Sequence, residues 1–203
     1  ILVFTEPNLE GQSDSAQDFV LYNDIFDDCR SSLNFFRVAS TNLLSKDIEP
    51  EIFSNTPNIS YLYIRSYNRG VTGPIPNLGN IQNLRRLYLL QNNLTGPVPS
   101  FANNNRIFYV NLFSNNLSGS IPIISQNSLR YLYLHYNNLD AFNGLQSPNL
   151  LRLYINNNQI TGDIPDLSNL TKLRDLFIRN NLFSGYIANS LIPSVKCRAI
   201  EHQ

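Results

Sequence analysis

Tyrosine and arginine recur beside leucine at fixed places along the chain, and they are its most prominent chemical feature. In Leu87-Tyr88-Leu89 and Leu132-Tyr133-Leu134 a tyrosine stands between two leucines. This alternation is typical of a β-strand whose leucines point to one side and whose tyrosines point to the other. A tyrosine presents a flat apolar ring and a hydroxyl group, which suits sugar faces and protein partners equally. The chemistry that this pattern indicates is binding.

The outward positions form three columns when the leucines are aligned. The position before the middle leucine reads Phe35, Tyr61, Arg86, Tyr109, Tyr131, Arg152 and Asp175. The position after it reads Arg37, Tyr63, Tyr88, Asn111, Tyr133, Tyr154 and Phe177. The third column reads Ala39, Arg65, Leu90, Phe113, His135, Asn156 and Arg179. We predict a ligand-binding set of Tyr61, Tyr63, Arg65, Arg86, Tyr88, Tyr109, Phe113, Arg130, Tyr131, Tyr133, His135, Arg152, Tyr154, Phe177 and Arg179.

The arginines favour an anionic partner. Planar guanidinium groups bind carboxylate, phosphate or sulfate through two parallel hydrogen bonds and also stack on aromatic rings. Asp175 is the only acid among the three columns. Two structural alternatives stay open. The tyrosines would only stabilise each other across neighbouring strands, or the arginines would lie flat on the tyrosine rings in a solvated face.

Catalysis, metal binding and nucleic-acid binding find little support. Of the two histidines, His135 has no Cys or carboxylate near it at ligand spacing, and His202 lies in the C-terminal tail. No Ser/His/Asp order or phosphate loop is present, and the repeats carry too few carboxylates for a glycosidase pair. Formal net charge is zero, and only 3 of the 15 basic residues are Lys. We therefore expect a protein that is not an enzyme, needs no cofactor or metal, and does not bind nucleic acid.

The strands that must position these side chains belong to a repeat. The template LxxLxLxxNxL, often followed by xGxIP, begins at Leu33, Ile59, Leu84, Ile107, Leu129, Leu150 and Leu173, in steps of 21 to 26 residues. Asn92, Asn115, Asn137, Asn158 and Asn181 occupy the ninth position, where a buried amide can bond otherwise unpaired backbone groups of stacked turns. Glycines such as Gly96 permit a tight bend, and prolines such as Pro99 hold an extended return path.

The run Asn92-Asn-Leu-Thr-Gly-Pro-Val-Pro99 resembles the plant-type class of leucine-rich repeat, over about residues 33–190. The resemblance implies an α/β leucine-rich-repeat solenoid of about seven repeats. Its concave face would carry a parallel β-sheet, and its convex face turns and 3₁₀ segments. The chain has no Trp and no closely spaced cysteine pair before the first repeat, as the plant N-terminal cap would have. The hypothesis therefore includes a microbial or phage-borne member.

The two ends are predicted to be caps. Residues 1–32 form an acidic N-terminal segment in which Ile1–Phe4 suits a strand, 33–190 the repeats, and 191–203 the C-terminal cap and tail. Residues 1–58 hold ten acids against three bases, and the remainder holds five against twelve. Cys29 and Cys197 lie before and after the stack, about 29 Å apart along it, so we expect no disulfide between them. The absence of Met is expected of a processed product or a fragment.

Four Asn-x-Ser/Thr triplets, at Asn58, Asn93, Asn116 and Asn169, are glycosylation candidates, although two of them arise from the repeat itself. No apolar run is long enough to span a membrane.

The favoured hypothesis is a non-catalytic recognition module that binds a protein or an anionic polysaccharide through its concave aromatic and arginine surface. It would act outside the cell, on a cell surface or on a virion. The alternative is a structural or host-attachment component of a virion or cell-surface assembly, with neighbouring subunits as partners. An inhibitor of cell-wall enzymes is compatible with the family resemblance alone.

Overall fold

The computed structural model describes residues 2–5, 32–42, 48 and 52–184 of the chain. Its strands are β1 (Leu2–Thr5), β2 (Phe35–Asn42), β3 (Tyr61–Arg69), β4 (Arg86–Tyr88), β5 (Tyr109–Asn111), β6 (Ser118–Ile121), β7 (Tyr131–Tyr133), β8 (Asn138–Phe142), β9 (Arg152–Tyr154), β10 (Thr161–Asp163), β11 (Asp175–Phe177) and β12 (Leu182–Ser184). None of the described residues lies in an α-helix. That part of the chain accordingly contains no helix with the length and hydrophobicity to cross a membrane.

One parallel sheet joins the repeats in the order β1-β2-β3-β4-β5-β7-β9-β11. Each repeat supplies one strand, so β2 to β11 form a solenoid of seven strands and six coils, as predicted. The strand expected in Ile1–Phe4 is confirmed as β1, which pairs with β2 and extends the sheet by one strand.

The leucines fill the interior in the predicted phase. The middle leucine of each repeat pairs with its counterpart in the next, and Leu62, Leu87, Leu132, Leu153 and Leu176 are all fully buried. Full burial of one such side chain contributes about 1.5–3 kcal/mol relative to its exposure. No single coil could bury these side chains alone, so stacking holds the fold together.

The ninth-position asparagines form the expected ladder. Asn115 donates through Nδ2 to the carbonyls of Leu89 and Leu112, at 2.8 and 3.1 Å, and its Oδ1 accepts from the Leu94 amide at 3.1 Å. The Ile59 repeat has no asparagine at this position, and β3 extends to Arg69. Gly70 packs closely against the next coil, because a Cβ there would lie 2.4 Å from the Cα of Asn92.

The return path is extended and bends at glycines. Gly96, Gly119 and Gly162 have φ of 74°, 78° and 80°, the left-handed region in which glycine alone is unstrained. Gly119 lies within β6 and Gly162 within β10; β6 pairs with β8 and β10 with β12, which makes two short parallel sheets that the sequence had not predicted.

The convex turns carry hydrogen bonds of the 3₁₀ type, three residues apart, and a second polar ladder. Ile81 donates to Leu78 and Leu84 to Ile81, each at 3.0 Å. Asn104 donates across coils to the carbonyls of Leu78 and Ile81, both at 2.9 Å. Gln126, Ser147 and Asn169 make the equivalent bond in later coils, so this side is tied from repeat to repeat as well.

Most of the two caps lies outside the described residues. Cys29, Cys197 and the segment 191–203 fall there, so the absence of a disulfide and the domain limits 1–32, 33–190 and 191–203 stay predictions.

Candidate functional site

The sheet places the three predicted columns side by side on one surface, here called the inner face. In the first column Tyr61 pairs with Arg86 and Arg86 with Tyr109; in the second, Tyr63 pairs with Tyr88 and Tyr88 with Asn111. The register continues without a shift through β7, β9 and β11. The tyrosines therefore share one surface because every strand enters the sheet in the same phase.

Seven aromatic rings, one from each repeat strand, form a continuous series across the inner face. We call this series the ring ladder. Successive centroids are 4.3, 5.3, 4.6, 5.5, 4.8 and 4.3 Å apart. Its members are Phe35, Tyr61, Tyr88, Tyr109, Tyr133, Tyr154 and Phe177. Tyr63 and Tyr131 flank it, 5.6 Å from Tyr88 and from Tyr109 respectively.

The ring ladder crosses the face obliquely, which sequence reasoning missed. It begins in the first column, passes to the second at Tyr88, returns to the first at Tyr109 and continues in the second from Tyr133 to Phe177, because a non-aromatic residue interrupts each column. Arg86 interrupts the first column, and Asn111 interrupts the second. Asn111 accepts from the Phe113 amide at 3.1 Å and forms a side-chain hydrogen bond with Tyr109. A small polar residue thus leaves the space through which the ladder changes column.

The phenols of the ring ladder are half-buried by one another. Burial, with smaller contributions from the neighbouring Tyr109 and Tyr61, raises the pKa of Tyr88 to about 12. Burial is also the main cause of the raised pKa of Tyr61, Tyr109 and Tyr154. These hydroxyls consequently stay protonated at physiological pH and can donate hydrogen bonds.

The cations of the inner face are partly engaged with the rings. The Arg37 guanidinium lies 5.2 Å from the centroid of Tyr63. Arg152 forms an ion pair with Asp175 on the next strand, Nε to Oδ2 2.7 Å, and lies 5.8 Å from the ring of Tyr131. The alternative that arginines lie on tyrosine rings therefore describes these two residues, while Arg65 and Arg179 occupy the third column.

Two of the predicted arginines make contacts at the edge of the inner face. The Arg86 guanidinium leans out of its column to lie 4.9 Å from the ring of Phe108. Arg130 precedes its strand, and its guanidinium donates to the carbonyls of Asn127 and Asn149, both at 3.3 Å. Both side chains make these contacts towards the edge of the sheet where the chain enters the strands, and Arg86 also lies close enough to Tyr61 and Tyr88 to act on their phenols. Their role in binding an anion stays a prediction.

His135 lies in an aromatic cluster beside the ring ladder. It stacks on Phe113, with centroids 4.4 Å apart, and makes edge contacts with Tyr133, Tyr136 and Tyr154. Burial lowers its pKa to about 4, so the imidazole is neutral at physiological pH. Its Nδ1 atom is buried and has no hydrogen-bond partner among the described residues.

The remaining candidates are exposed surface groups. Asn58, Asn93, Asn116 and Asn169 are exposed, although the Asn169 amide donates to the Leu145 carbonyl at 2.6 Å. Within the described ranges no three His, Cys, Asp or Glu side chains gather as metal ligands would.

The chain is similar to known proteins in both sequence and structure. A family model described as "Leucine Rich repeats (2 copies)" matches residues 148–186. The structure is similar to that of a TDR receptor (31% identity, TM-score 0.67, 79% of this chain and 29% of that one). It is also similar to PEPR1–AtPEP1 (30%, 0.70, 79% and 23%) and to the plant peptide hormone receptor RGFR1 in complex with RGF2 (26%, 0.60, 80% and 31%).

The chain spans less than a third of the length of these three structures. No curated protein matches it.

Proposed function

Since this chain is a leucine-rich repeat protein, we propose that it is a recognition module that binds an extended polypeptide segment along the ring ladder of its inner face. The observation that carries the proposal is the unbroken series of rings from Phe35 to Phe177. Large contiguous aromatic surfaces usually mark contact sites, and tyrosine is enriched among the residues that dominate binding energy.

The ring ladder is suited to a polypeptide because it is both flat and preorganised. Each ring is held by its neighbours at 4.3–5.5 Å, so little side-chain freedom remains to be lost on binding. The protonated phenols of Tyr88 and Tyr109 can donate to backbone carbonyls, and their rings can pack against side chains. A chain laid across the strands would meet one ring per repeat.

Arginines lie at both ends of the inner face. Arg37 and Arg65 lie on the first two repeat strands, and Arg179 follows the last, where Asp175 is paired with Arg152 at 2.7 Å. An acidic group of the ligand would therefore bind at one of these ends, where a guanidinium can hold a carboxylate by two hydrogen bonds. We place the module outside the cell, where the four exposed Asn-x-Ser/Thr sites would be accessible to glycosylation.

Two of the similar structures support a polypeptide rather than a glycan as occupant. One is the structure of the plant peptide hormone receptor RGFR1 in complex with RGF2, and the other is that of PEPR1–AtPEP1. An anionic polysaccharide on the same face, a virion role and neighbouring subunits remain predictions from sequence without a specific structural observation in their favour.

Selection from a displayed random-peptide library, followed by titration of the selected peptides, tests the proposal. We expect enriched peptides whose affinity falls at least about tenfold in the double variant Tyr88→Ala/Tyr154→Ala, since two separate anchors are lost. Tyr88 and Tyr154 lie on β4 and β9, so their effects should be nearly additive.

The matched control is Phe108→Ala, which removes a half-exposed ring outside the ladder. In both variants each substitution should lower the free energy of unfolding by about 1–2 kcal/mol, but Phe108→Ala should bind peptide normally. Peptides that bind both variants alike, or a glycan array that gives the only ligands sensitive to Tyr88→Ala/Tyr154→Ala, would contradict the proposal.

A further inference from the structure

The edge of the sheet where the chain enters each strand carries a stripe of cations, here called the basic edge. It consists of two positions per repeat: the residue just before the first template leucine and the residue just after it. The second of these is tied from coil to coil, because Arg85, Arg130 and Arg174 donate their backbone amides to Ser60, Phe108 and Leu151 at 2.9 Å. The basic edge carries Arg85, Arg106, Arg130, Lys172 and Arg174.

Acidic side chains are missing from the basic edge. Its other positions hold Asn, Ser, Phe and Leu in all seven repeats. Among the described residues none of the five cations forms an ion pair with a carboxylate. The Arg86 guanidinium, which lies over the ring of Phe108, adds a sixth cation to the stripe. The charge is therefore concentrated along one side of the solenoid, with no carboxylate paired to it in the part of the chain that the structure describes.

Two adjoining depressions open on the basic edge, with volumes of about 400 and 520 Å³. They share Asn83 and Arg106, and Arg85 lines the larger one. Pro57 is the only apolar residue in either lining; the others are amides, hydroxyls and guanidinium groups. A polypeptide would find no apolar anchor here, so the site differs in kind from the ring ladder.

A hydrogen-bond relay orders this surface. Arg106 donates to the Asn83 side-chain oxygen at 2.7 Å, and the Asn83 amide donates to Asn58 at 3.2 Å. Farther along, Lys172 donates to the Asn149 side chain at 2.6 Å, and Asn149 donates to the Asn127 carbonyl at 2.9 Å. The side chains of Asn83 and Asn149 each hold a cation at a fixed place. Polar groups therefore recur from coil to coil, about 4.8 Å apart.

We propose that the basic edge is a second binding site, independent of the ring ladder, for a linear glycan that carries carboxylate groups. Guanidinium groups supply paired donors for the carboxylates. Side-chain amides and serine hydroxyls both donate and accept, which matches the hydroxyl groups of sugars. A shallow row of repeated polar sites fits a repeating polymer better than a compact ligand.

The probe is a size-fractionated oligogalacturonate, with the fully methyl-esterified oligomer as the neutral counterpart and polyglutamate as a polyanion without hydroxyl groups. The protein should be produced without N-glycans, because Asn58 lines the larger depression. We expect binding of oligogalacturonate that weakens as salt is raised, since exposed charges are screened. Binding of the esterified oligomer with equal affinity would overturn the role of charge.

The double variant Arg85→Gln/Arg106→Gln removes two charges from the depressions and keeps amide groups in their place. We expect it to bind oligogalacturonate at least about tenfold more weakly while unfolding at the same temperature as the parent. Arg37→Gln removes one charge from the inner face by the same type of substitution and should leave this binding unaltered. Equal losses in both variants, or polyglutamate bound as tightly as the glycan, would overturn the proposal.

Discussion

At the residue scale, His135 is the clearest case of a titratable side chain whose surroundings oppose its charge. Four aromatic rings, those of Phe113, Tyr133, Tyr136 and Tyr154, surround the imidazole, and burial lowers its pKa from 6.5 to about 4. Between these two values the unfolded chain binds more protons than the folded one. The free energy of unfolding must therefore fall as the pH is lowered from about 6.5 to about 4, and the contribution of His135 is fully present only above 6.5.

Replacing His135 with phenylalanine should remove this part of the pH dependence. A phenylalanine keeps the stack on Phe113 but binds no proton. Between pH 6.5 and pH 4 the free energy of unfolding of His135→Phe should therefore fall by about 1 kcal/mol less than that of the parent. Chemical denaturation of both proteins across this range measures the difference. Carboxylates titrate identically in the two proteins and cancel. Parallel curves would show that the imidazole stays solvated.

The residues that could be predicted from sequence are those whose placement depends only on strand alternation. Tyr88 and Tyr133 follow from that rule, and they lie where it puts them. The outward lean of Arg86 and the bond of Asn111 to Tyr109 depend on which neighbours stand on adjacent strands and on side-chain rotamers. Alternation carries no information on either, so the oblique course of the ring ladder could not be foreseen.

At the element scale, the asparagine ladder joins each coil to the one before it. Asn115 is 6% exposed, and its side chain forms hydrogen bonds with three backbone groups. The residue before each ladder asparagine has a left-handed backbone: φ lies between 53° and 56° at Gln91, Ser114, Tyr136, Asn157 and Asn180. A conformation of this kind costs a non-glycine residue about 1 kcal/mol, which the ladder bonds offset.

Asn115→Ala should therefore destabilise the protein by about 2–4 kcal/mol, because it leaves the Leu94 amide and the Leu89 carbonyl buried without their side-chain partner, while the Leu112 carbonyl keeps its bond from Asn137 at 3.0 Å. For a chain of this length, the melting temperature should fall by about 2–4 °C per kcal/mol. Asn116→Ala, at the exposed neighbouring position, should change the free energy of unfolding by no more than about 0.5 kcal/mol. A small effect at Asn115 would mean that water can replace the ladder bonds.

The elements of the sheet were more predictable than those of the return path. Leucine spacing specifies the inner strands and their phase in all seven repeats, and the ninth-position asparagine does so in the last five. The pairs β6–β8 and β10–β12 depend instead on whether two successive return paths are extended at the same height. The Leu129 repeat replaces GxIP with other residues and still forms β8, with a register shift between Gly119 and Ser120.

At the scale of the whole molecule, each coil contacts only its neighbours, and stability is shared locally. Leu132 lies at the centre of the stack, is fully buried, and pairs with Val110 and Leu153. Long-range effects must therefore pass from coil to coil, as in other repeat proteins.

Leu132→Ala should cost about 2–5 kcal/mol, the usual range for such a cavity. Hydrogen exchange read by mass spectrometry should show faster exchange in β5, β7 and β9, with much smaller changes in β3. The exposed Leu182, replaced by Ala, is the matched control and should leave exchange in these strands unaltered. A uniform increase across the sheet would show that the stack unfolds as one unit.

The whole molecule also keeps its two proposed sites apart. The ring ladder lies on the inner face, and the basic edge runs along the side where the chain enters the strands. Ligands of different chemistry could occupy both together. The sequence shows that acidic residues prevail before residue 59 and basic residues after it. The concentration of the basic residues on one edge depends on the register of seven strands.

The spacing of the ring ladder has an optical consequence. The chain contains 11 tyrosines and no tryptophan, so its ultraviolet emission comes from tyrosine alone. Neighbouring rings from Tyr61 to Tyr154 lie only 4.6 to 5.5 Å apart, close enough for excitation to migrate from one phenol to the next. Fluorescence depolarisation should then report occupancy of the inner face without any added dye.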